Sequence, residues 1–210
     1  MLDTTGTLTQ KYQARLIPKD AKAELIADTD TDRLLPFVRA GANLPATTSP
    51  TDYPSDGLIL PIGEVFGRLR SLVGKSFKDA GHDQERNRGA ALHELVCREL
   101  GFADYRDDGR FPDVRQQLLE VKLQTSPTID LGLVCPDSEA ALDVPQIAGR
   151  QIRHCDVRYA IFYARTDGAT VTLTRFYLTP GESFFSRFPQ FQGKVLNKKL
   201  QIPLPSDFFR

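Results

Sequence analysis

The run FPDVRQQLLEVKLQ, residues 111 to 124, sets Asp113, Glu120 and Lys122 at spacings that let two carboxylates and an ammonium act on one substrate. Hydrolysis of a phosphodiester with a divalent cation needs hard oxygen ligands held rigidly, a water in line with the leaving oxygen, and positive charge near the transition state. Two acids and a lysine supply the ligands and the charge. Glu120 and Lys122 are two apart, so on a strand both project from one face while Val121 points to the other. Asp113 precedes Glu120 by seven positions, and a strand, a tight turn and a return strand bring such residues side by side. Pro112 fixes φ and removes a backbone donor just before the acid, which suits a strand start or an edge. The plainer alternative is a solvated cross-strand pair of Glu120 with Lys122 and a turn residue at Asp113, an arrangement that contributes little. Leu118, Leu119, Val121 and Leu123 argue against it, because they predict a largely buried strand. A carboxylate desolvated at a cleft is stabilised by the cation it binds.

Pro112-Asp113 followed by Glu120-Val121-Lys122 resembles the PD-(D/E)xK nuclease signature shared by many type II restriction endonucleases. The Asp-x6-Glu-x-Lys spacing is similar to that of the MutH-like nicking enzymes and their restriction-enzyme relatives, and the resemblance covers about residues 88 to 132. It implies Mg²⁺, with Mn²⁺ able to replace it, held by Asp113 and Glu120, while Lys122 orients the attacking water and stabilises charge on phosphorus. In that family a glutamate on the helix before the hairpin often joins the metal site. Glu94 in RGAALHELVCRELG is the matching position, since it lies opposite the apolar stripe of its helix whereas Glu99 falls within it. The activity implied is a type II restriction endonuclease, cutting double-stranded DNA at a specific sequence to leave 5′-phosphate and 3′-hydroxyl ends. A structure- or end-specific repair nuclease of the same fold is the alternative, although the stretch after EVKLQ lacks the Q-x-x-x-Y pair of the RecB-like branch. A non-catalytic DNA-binding module is a third reading, against which the intact trio argues. Palindromic recognition favours a two-fold homodimer, whereas MutH-like nucleases act as monomers.

The elements that must position these residues follow from hydrophobic periodicity. Leu92, Leu95, Val96 and Leu100 fall at i, i+3, i+4 and i+8 and predict a helix over about 84 to 100, stopped by Gly101. ILPIGEVFGRLRSLVGKSF predicts another, with Val65, Phe66, Leu69 and Val73 on one side. FPDVR and QLLEVKLQ read as short strands about a turn, and VRYAIFYAR and TVTLTRFYLT as two more joined by TDGA. The order fits an α/β (α+β) fold, a restriction-endonuclease-like mixed sheet flanked by helices. Upstream, AKAELIADTDTDRLLPFVRAG predicts a short helix in an accessory arm, and residues 41 to 57 are rich in Pro, Thr, Ser and Asp and read as a linker. The chain therefore divides into an arm and linker, 1 to 57, and a nuclease domain, 58 to 210.

After the EVK strand come Gln124, Thr125, Ser126, Thr128 and Asp130, side chains able to reach phosphates or base edges. Taken singly, each reads more simply as a hydrogen-bonded turn residue. Cations cluster at Arg68, Arg70, Lys75 and Lys78; at Arg150, Arg153, His154 and Arg158; and at Lys194, Lys198 and Lys199. Arg150 and Arg153 are the favoured DNA contacts, because QIAGRQIRH reads as a helix leading back to the sheet. Lys plus Arg and Asp plus Glu number 27 each, so binding to phosphates must come from local clusters rather than net charge. His82, His93 and His154 stand singly, without zinc-site pairing, and GRLRSLVGKS has the wrong spacing for a phosphate-binding P-loop. Cys97, Cys135 and Cys155 read as reduced thiols. No apolar run approaches the roughly 20 residues of a membrane span, and the polar N-terminus does not read as a secretory signal. A cytoplasmic protein without membrane contact is the expectation.

Overall fold

The computed structural model describes residues 12–15, 21–42, 44, 48–79, 85–132 and 134–192. In chain order the strands are β1 (Tyr12–Arg15), β2 (Ala23–Leu25), β3 (Ser76–Lys78), β4 (Leu119–Gln124), β5 (Thr128–Gly132), β6 (Arg158–Thr166), β7 (Thr170–Pro180) and β8 (Gln190–Gln192). The helices are α1 (Ile62–Leu69), α2 (Glu85–Leu100) and α3 (Phe184–Arg187). Strands and helices together make an α+β protein built on a mixed sheet. β4 runs parallel to β6, β6 antiparallel to β7, and β7 takes β2 in parallel and β3 in antiparallel fashion. Among the described residues β4 therefore ends the row β2-β7-β6-β4. A smaller sheet has the order β5-β1-β8.

Alternation along β6 creates two cores. Ala160, Phe162 and Ala164 face one cluster with Val65 and Leu69 of α1 and Leu92, Val96 and Leu100 of α2. Tyr159, Ile161 and Tyr163 face a second, with Ala14 of β1, Ile129 and Leu131 of β5, and Phe184. A strand covered on both faces must be apolar nearly throughout, and β6 is buried from Arg158 to Ala164. The expected stripe on α2 is real, and Gly101, at φ 96°, closes the helix with its N–H on the Cys97 carbonyl at 3.1 Å. Cys97 lies in the same core, where burial pushes its thiol up to about 12.

Residues 21–41 do not form the predicted helix. Ala23–Leu25 instead extends the large sheet along Phe176–Leu178 of β7, and Pro36 confines the apolar run to one 3₁₀ turn, Leu35–Phe37. The intervening Asp30 has tertiary partners, which local propensity does not register. Asp30 accepts the Ile62 N–H at 2.9 Å at the start of α1 and pairs with Arg158 at 2.6 Å. Leu34 and Phe37 enter the second core and Ala42 and Leu44 the first, so the described part of 1 to 57 is woven into the fold rather than standing off as an arm. Residues 48–57 are irregular, as expected of a linker, yet Ser49, Pro50 and Pro54 are buried. QIAGRQIRH is not helical either. It contains an isolated bridge, Ile147 with Arg150, and enters a 3₁₀ turn at His154–Asp156. Among the described residues no helix is long and apolar enough to cross a membrane.

Candidate functional site

FPDVR does not make a regular strand. Its pairing with β4 is a single antiparallel bridge, Val114 with Leu119, closed by a 3₁₀ turn at Arg115–Gln117 and a left-handed Leu118. The turn is short because its side chains are committed elsewhere. Gln117 accepts the Leu60 N–H at 2.9 Å and donates to the Leu58 carbonyl at 2.8 Å, while Arg115 donates to the Thr51 carbonyl at 2.8 Å and pairs with Asp108. These buried polar groups tie the turn to the 48–60 segment. Side-chain bonds then complete the hairpin. The Asp113 N–H donates to Glu120 Oε2 at 3.2 Å, and the Val121 N–H donates to Asp113 Oδ2 at 2.9 Å. The two acids are thus held side by side by a reciprocal bracket, beyond the point where backbone pairing stops.

Lys122 completes the group, its Nζ 2.7 Å from Glu120 Oε1. Burial and the facing charge of Glu120 push Asp113 up to about 7, against the opposing pull of the Val121 N–H and Lys122. For Lys122, burial acts to depress the ammonium, but Glu120, Asp113 and Asp130 outweigh it and hold the group above its usual range. The site therefore has a carboxyl that titrates near neutrality beside a firmly protonated lysine. Asp113 has a measurable consequence for the metal-free protein. Between its ordinary value of 3.8 and about 7 the folded chain keeps a proton that the unfolded chain has released. The contribution of Asp113 to stability is therefore highest below that window, falls as pH rises through it, and levels off above it. Asp113→Asn is expected to flatten the fall, read as the denaturation midpoint across the window; an unchanged slope in the variant would refute the assignment.

The glutamate expected from α2 is not brought to this pair. Glu94 is exposed and pairs with Arg98 at 2.5 Å one turn on. Among the described residues no three His, Cys, Asp or Glu side chains gather into a metal-holding group. Glu99 serves structure, accepting from Lys75 at 2.5 Å and Ser71 at 3.1 Å. His93 turns inward against Cys97 Sγ at 3.4 Å and the Arg106 carbonyl at 3.3 Å.

The five polar residues after the EVK strand do converge. Gln124, Thr125, Ser126, Thr128 and Asp130 line one cleft of about 440 Å³ together with Lys122, at the edge of β4 and under the N-terminal turns of α2. The cleft exists because β5 leaves β4 after a three-residue turn to pair with β1 instead. Arg88 and Gly89 of α2 form the opposite wall, and Arg88 is anchored to Asp79 by contacts of 2.6 and 3.0 Å. Sequence reasoning missed Arg88 because only the fold brings it across from β4.

Arg150 and Arg153 lie elsewhere. Arg150 rests over the Phe37 ring and near the Asp32 and Arg33 carbonyls, and Arg153 pairs with Glu139 at 3.0 Å. Arg158, counted in the same cation cluster, is wholly buried on Asp30. Lys194, Lys198, Lys199 and His82 lie outside the described residues. Comparison with protein-family models, curated proteins and solved structures gives no significant match. The functional assignment accordingly rests on the site.

Proposed function

We propose that the protein is a Mg²⁺-dependent endonuclease of double-stranded DNA, of the type II restriction kind, with a restriction-endonuclease-like arrangement of its mixed sheet. The observation that carries this reading is the convergence of Asp113, Glu120 and Lys122, of which Lys122 also lines the polar cleft. Desolvation and the facing charge of Glu120 hold Asp113 near 7, and a divalent cation held by the two acids would relieve that repulsion. The donor set suits magnesium, which is commonly held by one or two carboxylates and otherwise by water and substrate phosphate. Asp113 and Glu120 would hold it, and no third acid is required. Bound there, the ion would supply Lewis-acid polarisation of a phosphoryl oxygen and lower the pKa of a coordinated water.

Lys122 has a separate task. As a protonated group it is unsuited to removing a proton and well suited to fixing the attacking water and countering charge that builds on phosphorus. Its partner Glu120 keeps the ammonium aimed at the site. The Val121 N–H fixes the orientation of Asp113 before any substrate arrives. Gln124, Thr125, Ser126 and Thr128 line the cleft as neutral donors and acceptors that a bound strand would meet there.

Incubation of several supercoiled plasmids with the protein and Mg²⁺, with EDTA and with Ca²⁺ tests the reading. Discrete bands in Mg²⁺, with binding but no scission in Ca²⁺, are the expected result. Smears would transfer the site to the end- or structure-directed class, and no scission in Mg²⁺ or Mn²⁺ would overturn the proposal.

A further inference from the structure

The cleft beside Lys122 contains an acid, Asp130, whose part in the cleavage chemistry is confined to its charge on Lys122. Asp130 lies on β5 opposite Gln13 of β1, and its Oδ1 accepts a hydrogen bond from Gln13 Nε2 at 2.8 Å. It lines the cleft with Lys122, Gln124 and Thr128, and Lys122 responds to its charge. An acid in that position works against a polyanion, whose backbone is bound by cations and neutral donors. A carboxylate is an acceptor only. From a nucleic acid it can therefore attract an N–H group, and in the major groove those groups are the amino groups of cytosine and adenine. The acceptor atoms of guanine and thymine would be repelled. Gln13 sharpens this selectivity. Among the described residues the hydrogen-bond partner of Asp130 is this neutral amide, which orients the carboxylate without cancelling its charge. The β1–β5 pairing fixes both residues in register, so the acceptor is preorganised on a sheet rather than carried by a loop.

Resting on the reading of the site as a DNA nuclease, we infer that Asp130 is a specificity-determining residue that accepts a hydrogen bond from the amino group of a cytosine or adenine close to the scissile phosphate. Its charge costs affinity for DNA in general and gains discrimination at one base. A residue retained only for the fold would behave in the opposite way on removal, since it would weaken binding to every sequence alike.

The test is a pool of duplex oligonucleotides randomised at the central positions, cleaved in Mg²⁺ by the full chain, by Asp130→Asn and by Asp130→Ala, with the products sequenced. The full chain is expected to favour cytosine or adenine by roughly tenfold at one position near the cut. Asp130→Ala should flatten that position, Asp130→Asn should shift its preferred base, and preferences elsewhere should persist. In Ca²⁺, Asp130→Ala should bind mixed-sequence DNA more tightly than the full chain. Unchanged base profiles in both variants, or a uniform loss across all sequences, would overturn the assignment. A full chain that cuts without base preference would sink the role of Asp130 alone. A full chain that leaves the pool uncut in both Mg²⁺ and Mn²⁺ would remove the nuclease reading and this inference with it.

Discussion

Glu120→Gln is expected to lower Mg²⁺-dependent cleavage by at least about 10³-fold while leaving the protein folded, a loss at the upper end of what removal of one electrostatic group costs an active site. Glutamine keeps the shape of the side chain and an oxygen able to accept the Asp113 N–H, so the turn should survive. What disappears is the negative charge. With it go the proposed cation ligand, the ion pair at 2.7 Å that aims Lys122, and the repulsion that helps raise Asp113. In the variant Asp113 should titrate closer to an ordinary carboxyl, visible in the pH dependence of stability or in a carboxyl-resolved NMR titration. Lys122→Ala removes the other half of the pair and should cost roughly 10²- to 10³-fold. Here Asp113 should move in the opposite direction, because Lys122 lowers it. The two variants thus share a loss of cleavage and differ in the sign of the Asp113 shift. A purely structural trio predicts the same shifts with no activity to lose. Retention of full cleavage by either variant would therefore overturn the catalytic assignment.

The parts of this site that were legible in the sequence are those governed by local periodicity. The period of two put Glu120 and Lys122 on one face of β4, and the helical period of α2 and its glycine stop fixed that element to within a residue. The strands β6 and β7 and their turn were equally plain, being strongly apolar runs about TDGA. What could not be read was anything decided by partners distant in the chain. Gln116 falls in the expected turn and Gln117 at the start of the expected strand, yet both are buried in a 3₁₀ turn because the 48–60 segment brings backbone groups to them. Residues 23–25 resemble the start of a helix, but the exposed edge of β7 offers them a parallel ladder. Glu94 has the right spacing and the right face in isolation. Its helix packs so that this face meets water and Arg98. Arg158 is the extreme case: within VRYAIFYAR it reads as a surface cation, and only Asp30, 128 residues earlier, accounts for its burial.

Breaking that pair should produce the largest stability effect in the molecule. Arg158 is entirely buried, its Nε lies 2.6 Å from Asp30 Oδ1, and its Nη2 has no hydrogen-bond partner among the described residues. Burial depresses the guanidinium below its usual range, and Asp30 acts against that depression. Removing one member leaves the other charge stranded in the core, so Asp30→Ala or Arg158→Met should each cost about 3–5 kcal/mol. Asp30→Ala should be the more damaging of the two, because it also takes the acceptor from the Ile62 N–H that opens α1. Replacing both by apolar residues, Asp30→Leu with Arg158→Met, should cost far less than the sum, since the attraction within a buried pair roughly offsets its desolvation. Denaturant unfolding of the two singles and the double measures this directly, and a single variant costing under about 1 kcal/mol would contradict it. The loss should also reach the site. The Arg158 guanidinium Nη1 donates to the Gln117 carbonyl at 3.4 Å, beside a backbone bond from the Arg158 N–H to the Leu118 carbonyl at 2.8 Å, so the pair supplies one of two ties to the turn that sets Asp113 against Glu120. Its rupture should loosen the bracket between the acids before the sheet itself unfolds.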